Sequence, residues 1–233
     1  MDPAVGELDW ANAAGELDEV GVARLGPLLS PAQCEGLKGL YPDDGRFRST
    51  VDMAQHRFGQ GQYRYFDYPL PDLVEQLRRA LWPHLLPLAR SFAARLDRPS
   101  PWPDDLQQWL ASCHQAGQTK PTPLLLRYGP GDWNALHRDL YGELVFPLQV
   151  IVGLDRPGQD YDGGELMVVE QRPRAQSRAT AISIGFGEAV VVTTAEHPIN
   201  TPRGWSAAPV RHGVSVVRRG RRHTLGLLFH DAT

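Results

Sequence analysis

From Pro123 onward the chain is a succession of short apolar runs, each closed off by glycine, proline or a polar turn. Pro123–Tyr128, Glu165–Glu170, Ala179–Ile184, Ala189–Thr193, Val210–Val217 and His223–Phe229 are of strand length and rich in Val, Ile and Leu. Leu144–Leu154 is almost wholly apolar and reads as a strand buried on both faces. Strands at this spacing after a helical stretch predict a double-stranded β-helix, the jelly-roll barrel, and an α+β class.

The part before the barrel reads differently. Residues 1–20 are acidic and are expected to be frayed or loosely helical, and Gly21–Gly26 is a short strand. Ser30 is placed to cap a helix to about Tyr41, with Pro31 in its first turn and Leu37, Leu40 and Cys34 inward. Tyr63–Tyr68 alternates like a strand; ordinary cross-strand aromatic pairing is favoured over a role at a substrate mouth. Asp72 begins a helix to about Leu96 whose stripe is Leu73, Val74, Leu77, Leu81, Leu85 and Leu88. Pro83 and Pro87 are expected to break or kink it. A second helix spans about Asp104–Gln115. The expectation is one domain over 1–233, with helical support in about 1–120 and the jelly-roll core in about 123–231.

Composition removes several classes. The 233 residues carry a net charge of −3, so the chain as a whole is no electrostatic magnet for nucleic acid or an anionic membrane. Two distant cysteines, Cys34 and Cys113, make neither a disulfide framework nor a cysteine-rich metal site. The N-terminus lacks the apolar run of a signal peptide and no run is long enough to cross a bilayer, so the cytoplasm is the expected location.

Chemistry concentrates at the end of Tyr128-Gly-Pro-Gly-Asp-Trp-Asn-Ala-Leu-His137-Arg138-Asp139. A His and an Asp two apart on a strand share a face, and one more His would complete a 2-His-1-carboxylate triad, which leaves three metal positions open. Four later histidines, His197, His212, His223 and His230, are candidates, and spacing alone does not choose among them. Arg222 and Thr224 would share a strand face, a guanidinium and a hydroxyl suited to the far carboxylate of a diacid such as 2-oxoglutarate. Arg218, Arg219 and Arg221 read as a solvated basic hairpin.

The ordered set resembles the prolyl-4-hydroxylase-like branch of the Fe(II)/2-oxoglutarate dioxygenases. Tyr128 to Asp139 matches its Tyr, Gly and H-x-D; Gly163-Gly-Glu-Leu166 is similar to its next turn and strand. Ile184 to Val192 is similar to the strand before the distal His, while His212-Gly-Val, Gly220 and Arg222 match that His, the turn after it and the cation for the co-substrate. The resemblance covers about 123–231. It implies that His137, Asp139 and His212 bind Fe(II), that Arg222 binds 2-oxoglutarate, with Tyr128 and Thr224 helping at its carboxylate, and that dioxygen is consumed. Arg222 stands where the branch often has Lys, and Thr194–Val210 reads as a loop insertion, a candidate lid or substrate wall. Within the branch the chain is most similar to a bacterial group described as oxygenases acting on alkylated nucleic acid. That implies hydroxylation or demethylation of an alkylated base, with Tyr63, Tyr65, Phe66 or Trp205 available to stack on it. The alternative substrate is a small molecule, amino acid or peptidyl-prolyl residue.

Other readings fit less well. His137-Arg-Asp-Leu140 spells a kinase catalytic loop, but Leu144 stands where that loop needs Asn. A cupin-type metal-binding protein would use Glu143, yet the sequence has no second cupin motif and Arg222 has no role in it. A non-catalytic jelly-roll module would not need three ligands and the cation.

Overall fold

The computed structural model describes residues 4–172 and 174–233. In chain order it contains α1 (Trp10–Val20), β1 (Val22–Pro27), α2 (Pro31–Gly39), β2 (Phe47–Asp52), α3 (Met53–His56), β3 (Gly59–Gln60) and β4 (Gln62–Phe66). Two long helices come next, α4 (Asp72–Arg95) and α5 (Leu106–Gln115). The strands then run β5 (Leu124–Tyr128), β6 (Trp133–His137), β7 (Leu148–Gly153), β8 (Tyr161–Gly163), β9 (Leu166–Glu170) and β10 (Arg178–Ile182). Last come β11 (Glu188–Thr193), β12 (Glu196–Thr201), β13 (Gly204–Val214), β14 (Val217–Gly220) and β15 (Arg222–Leu227).

One antiparallel sheet has the order β1-β11-β7-β15-β5-β4-β2; the other is β10-β9-β13-β6-β3, with β12 added beside β13, and β8 pairs with β14. Strand alternation sorts the large sheet's side chains. Leu125, Val150, Val152, Leu225 and Leu227 pack with Leu77, Leu81, Trp82, Leu85 and Trp109 of α4 and α5. Their neighbours Leu126, Gln149, Ile151 and Arg222 face a cavity of about 410 Å³ between the sheets. A second apolar cluster is formed by Val22, Leu166, Val168, Ile182, Ile184, Val190, Val192 and Val210. This is the expected jelly roll with a helical buttress.

Several local expectations are corrected. Residues Trp10–Val20 form a capped helix rather than a frayed end, because Ala13 and Leu17 are fully buried and Asp9 accepts from Asn12 N at 2.9 Å. α4 runs unbroken through Pro83 and Pro87. Each proline costs about 3 kcal/mol in a helix interior. Burial of Val74, Leu77, Leu81, Trp82, Leu85, Leu86 and Phe92, at roughly 1.5–3 kcal/mol each, exceeds that. Residues 144–147 lie outside β7 because Gln118 takes the Leu144 backbone, accepting from its N at 2.8 Å and donating to its O at 3.0 Å. The Thr194–Val210 stretch is no loop: β12 and β13 form a hairpin pairing Glu196 with Pro209 through Thr201 with Gly204. Pro198 is tolerated there because β12 is an edge strand. β13 and β15 are not a hairpin pair but lie in opposite sheets, and β14 between them pairs with β8.

Cys34 and Cys113 are buried and free. No helix among the described residues is long and apolar enough to cross a membrane.

Candidate active site

Antiparallel register brings the candidate metal ligands together. His137 at the end of β6 pairs directly with His212 on β13, which brings the two imidazole centroids to 4.4 Å. Asp139 is not on the strand, as the alternation argument expected, but two residues past its end. Its backbone N donates to Thr194 O at 3.2 Å, and this bond turns the carboxylate in beside both rings. Asp139 Oδ1 lies 3.5 Å from His137 Nε2 and Oδ2 lies 3.1 Å from His212 Nε2. One donor atom from each of the three residues falls within 4.8 Å of the others, so the set could hold a metal ion.

The other histidines are engaged elsewhere. His197 is fully buried against Glu170 at 2.8 Å, His223 holds Asp155 at 2.8 Å, and His230 accepts from Phe146 N at 3.2 Å. His197 therefore sits in a strand rather than the expected loop. Glu143, which a cupin site would use, is exposed and outside the cluster.

The donor chemistry suits a divalent transition metal. Burial opposes ionisation of Asp139, but the two imidazoles outweigh it and hold the carboxyl well below its usual range. His137 Nδ1 faces Ala135 O at 2.8 Å, which leaves Nε2 as the free donor. Tyr141 and Gln149 complete the cradle and were not singled out from sequence. Tyr141 OH donates to Asp139 Oδ1 at 2.7 Å, and Gln149 Nε2 donates to Oδ2 at 2.7 Å. Burial, then the Asp139 charge, pushes the Tyr141 phenol well up, so it stays a donor. The available signal was that Gln149 interrupts the apolar strand Leu148–Gly153.

Arg222 lines the same cavity and is 2% exposed, and its Nε and Nη1 have no hydrogen-bond partner among the described residues. A buried guanidinium left this way is costly unless an anion reaches it. Gly164 fits it closely, since a Cβ there would lie 2.8 Å from Arg222 Cδ. Tyr128 pairs with Arg222 across β5 and β15, and its ring lies 5.5 Å from the guanidinium carbon. Its phenol, raised by burial, accepts from Asn134 Nδ2 at 3.4 Å. Thr224 is buried on the same strand face but is not among the cavity-lining side chains. Among the stacking candidates, Tyr63 and Tyr65 line the cavity, contrary to the favoured purely structural reading of that strand. Phe66 is a core residue stacked on Phe47, and Trp205 lies outside the cavity under Arg95.

Comparison with known proteins agrees with this geometry. A family model described as an oxygenase catalysing oxidative methylation of damaged DNA matches residues 61–232. A protein of Mycobacterium tuberculosis described as uncharacterised, found in two strains, is 59% identical over 167 residues, which is 72% of each chain. A Pseudomonas putida prolyl-4-hydroxylase superposes with TM-score 0.57 at 16% identity, covering 96% of this chain and 99% of that one. A 2-oxoglutarate–Fe(II) oxygenase-family protein of Burkholderia pseudomallei superposes with TM-score 0.52 at 16% identity, covering 96% and 92%. At that identity the superpositions speak for the fold. The chain belongs to the oxygenase family that the matching model describes, built on the fold of the prolyl-4-hydroxylase-like 2-oxoglutarate–Fe(II) oxygenases.

Proposed function

We propose that the chain is an Fe(II)/2-oxoglutarate dioxygenase that oxidises an alkylated base of damaged DNA. In this reading His137, Asp139 and His212 hold Fe(II), and Arg222 binds the far carboxylate of 2-oxoglutarate beside the Tyr128 phenol and Thr224. With Fe(II) bound, 2-oxoglutarate and dioxygen supply a one-oxygen oxidation of a C–H bond, and 2-oxoglutarate leaves as succinate and carbon dioxide. The observation that carries the reading is the buried, carboxylate-free Arg222 in the cavity that also holds the three ligands.

The chain's own residues bind, orient and exclude water. Tyr141 and Gln149 hold both oxygens of Asp139, fixing the carboxylate for its role as a ligand. Leu124, Leu126, Ile151, Leu166 and Leu228 give the cavity dry walls, so water does not compete at the oxidised carbon. Tyr63 and Tyr65, edge to face at 5.4 Å, offer a planar substrate an aromatic wall. Hydroxylation of an N-methyl group gives a hemiaminal that breaks down to the bare nitrogen and formaldehyde. The DNA part of the reading is supported by the family description. The test is an anaerobically reconstituted enzyme given air and oligonucleotides carrying single N-methylated bases. Succinate and formaldehyde should form in equal amounts with at least one of them. Succinate at the substrate-free rate with every methylated base would contradict the DNA assignment.

A further inference from the structure

The mouth of the cavity carries a feature that the oxidation itself does not need. α3 ends at Arg57 in the left-handed conformation, φ 60°, which only a few non-glycine residues adopt. The next residue, Phe58, is half exposed and lines the cavity. Phe58 N donates to Met53 O at 3.0 Å, and Phe58 O accepts from Ala135 N at 2.7 Å. Gly59, φ 140°, then lies so close to the Trp133 carbonyl that a Cβ would collide with it. Gly59 and Gln60 pair with Asn134 and Trp133 of β6, the strand that carries His137. The segment is thus pinned to the metal-ligand strand.

What it presents is a flat apolar ring and charge. Phe58 is 49% exposed and stacked on His56, with centroids 5.4 Å apart and planes 22° apart. Arg138 lines the same opening between two exposed leucines, Leu136 and Leu140. Among the described residues neither Arg57 nor Arg138 is in an ion pair, unlike most of the other arginines. An exposed ring and two unpaired guanidinium groups lining one cavity complement a base flanked by phosphates; an apolar or acidic peptide would match only part of the set.

We propose that this mouth binds single-stranded DNA, one base stacking on Phe58 while its alkylated neighbour enters the cavity and Arg57 and Arg138 take the flanking phosphates. The proposal rests on the nucleic-acid reading of the site and adds the form of the substrate. Two arginines on a chain of net charge −3 provide no surface for tracking a duplex, so the cost of unstacking a paired base is not recovered.

The test is fluorescence anisotropy of the full chain, loaded with Mn(II) and 2-oxoglutarate, against a short labelled oligonucleotide with one methylated base, single-stranded and annealed. The single strand should bind at least tenfold more tightly. Phe58→Leu should weaken it roughly 5- to 150-fold while Phe58→Trp retains it, the range seen for losing one base–aromatic stack. The slope of log affinity against log salt should be about −1.4, and about 0.7 shallower in Arg57→Gly, which keeps the left-handed backbone, or in Arg138→Gln. Equal binding of duplex, or wild-type affinity in Phe58→Leu, would overturn the proposal while leaving the DNA reading in place. Binding of 2-oxoglutarate with no affinity for any oligonucleotide would overturn both.

Discussion

Two carboxylate–imidazole clusters lie on the second sheet or at its edge, and only one of them opens into the cavity. Around Glu170 the carboxylate takes His197 at 2.8 Å and Arg172 at 3.0 Å, with Arg178 at 3.4 Å, and both Glu170 and His197 are almost wholly buried. Around Asp139 the partners are two imidazoles, a phenol and an amide, and the group opens into the cavity. Glu170 is neutralised by cations from its own chain. Asp139 has no such cation, and its donors converge on a point where an ion would fit. The two most deeply buried arginines repeat the contrast. Arg78 has the Asp231 carboxylate at 3.5 Å, whereas Arg222 has none. A charge already paired within the chain acts as a clasp; one left unpaired in a cavity is free to take a ligand.

The largest test of this contrast is to remove one imidazole from each cluster. His212→Ala should abolish measurable metal binding in calorimetric titration with Mn(II), and turnover with it. His197→Ala should bind Mn(II) as wild type does but lose about 1–3 kcal/mol of stability, since Glu170 is left short of a partner. Equal loss of metal in both variants would erase the distinction.

Next come the arginines. Arg222→Met should leave metal affinity intact and raise the 2-oxoglutarate concentration for half-saturation by about 100-fold, given the roughly 3 kcal/mol of a charged, bidentate contact. Arg78→Met should instead cost about 3–5 kcal/mol in urea unfolding, because Asp231 keeps its burial and loses its cation.

Acid should act on the closed imidazoles. Burial holds His197 below the ordinary range and holds His230 at about 4. The folded chain therefore binds these protons less readily than the unfolded chain. Stability is full above about pH 6.5 and falls as the pH drops toward 4, by on the order of 3 kcal/mol for His230. His230→Gln, which can still accept from Phe146 N, should flatten the dependence of urea midpoint on pH in that window. An unchanged slope would show that His230 is not the group responsible.

The smallest expected effect is at the cradle. Gln149→Leu removes a hydrogen bond from Asp139 without removing a ligand, and should weaken Mn(II) binding about 10- to 100-fold. Affinity equal to wild type would mean that Asp139 is held by Tyr141 alone.

These residues also show what could be read from the sequence. Periodicity placed most of the strands and both long helices because strand and helix faces are local properties. It missed the continuity of α4 because Pro83 and Pro87 are outweighed by tertiary burial, which no local rule contains. The His137–Asp139 pair was legible as a motif, yet the structure brings Asp139 in by a turn rather than along the strand. His212 was distinguishable from His197, His223 and His230 only through its family-like setting. What separates them physically is the β6–β13 register and the partners already bound to the other three. Gln149 and Tyr141 carry no motif, and their roles exist only once β7 and the turn after β6 meet at Asp139.

The most direct test of the account is absorption spectroscopy under anaerobic conditions, adding Fe(II) and then 2-oxoglutarate to wild-type, His212→Ala and His197→Ala protein. A weak visible charge-transfer band should appear that needs both additions, persists in His197→Ala and vanishes in His212→Ala. A wild-type protein that binds Fe(II) and 2-oxoglutarate without the band, or a band that survives in His212→Ala, would contradict it.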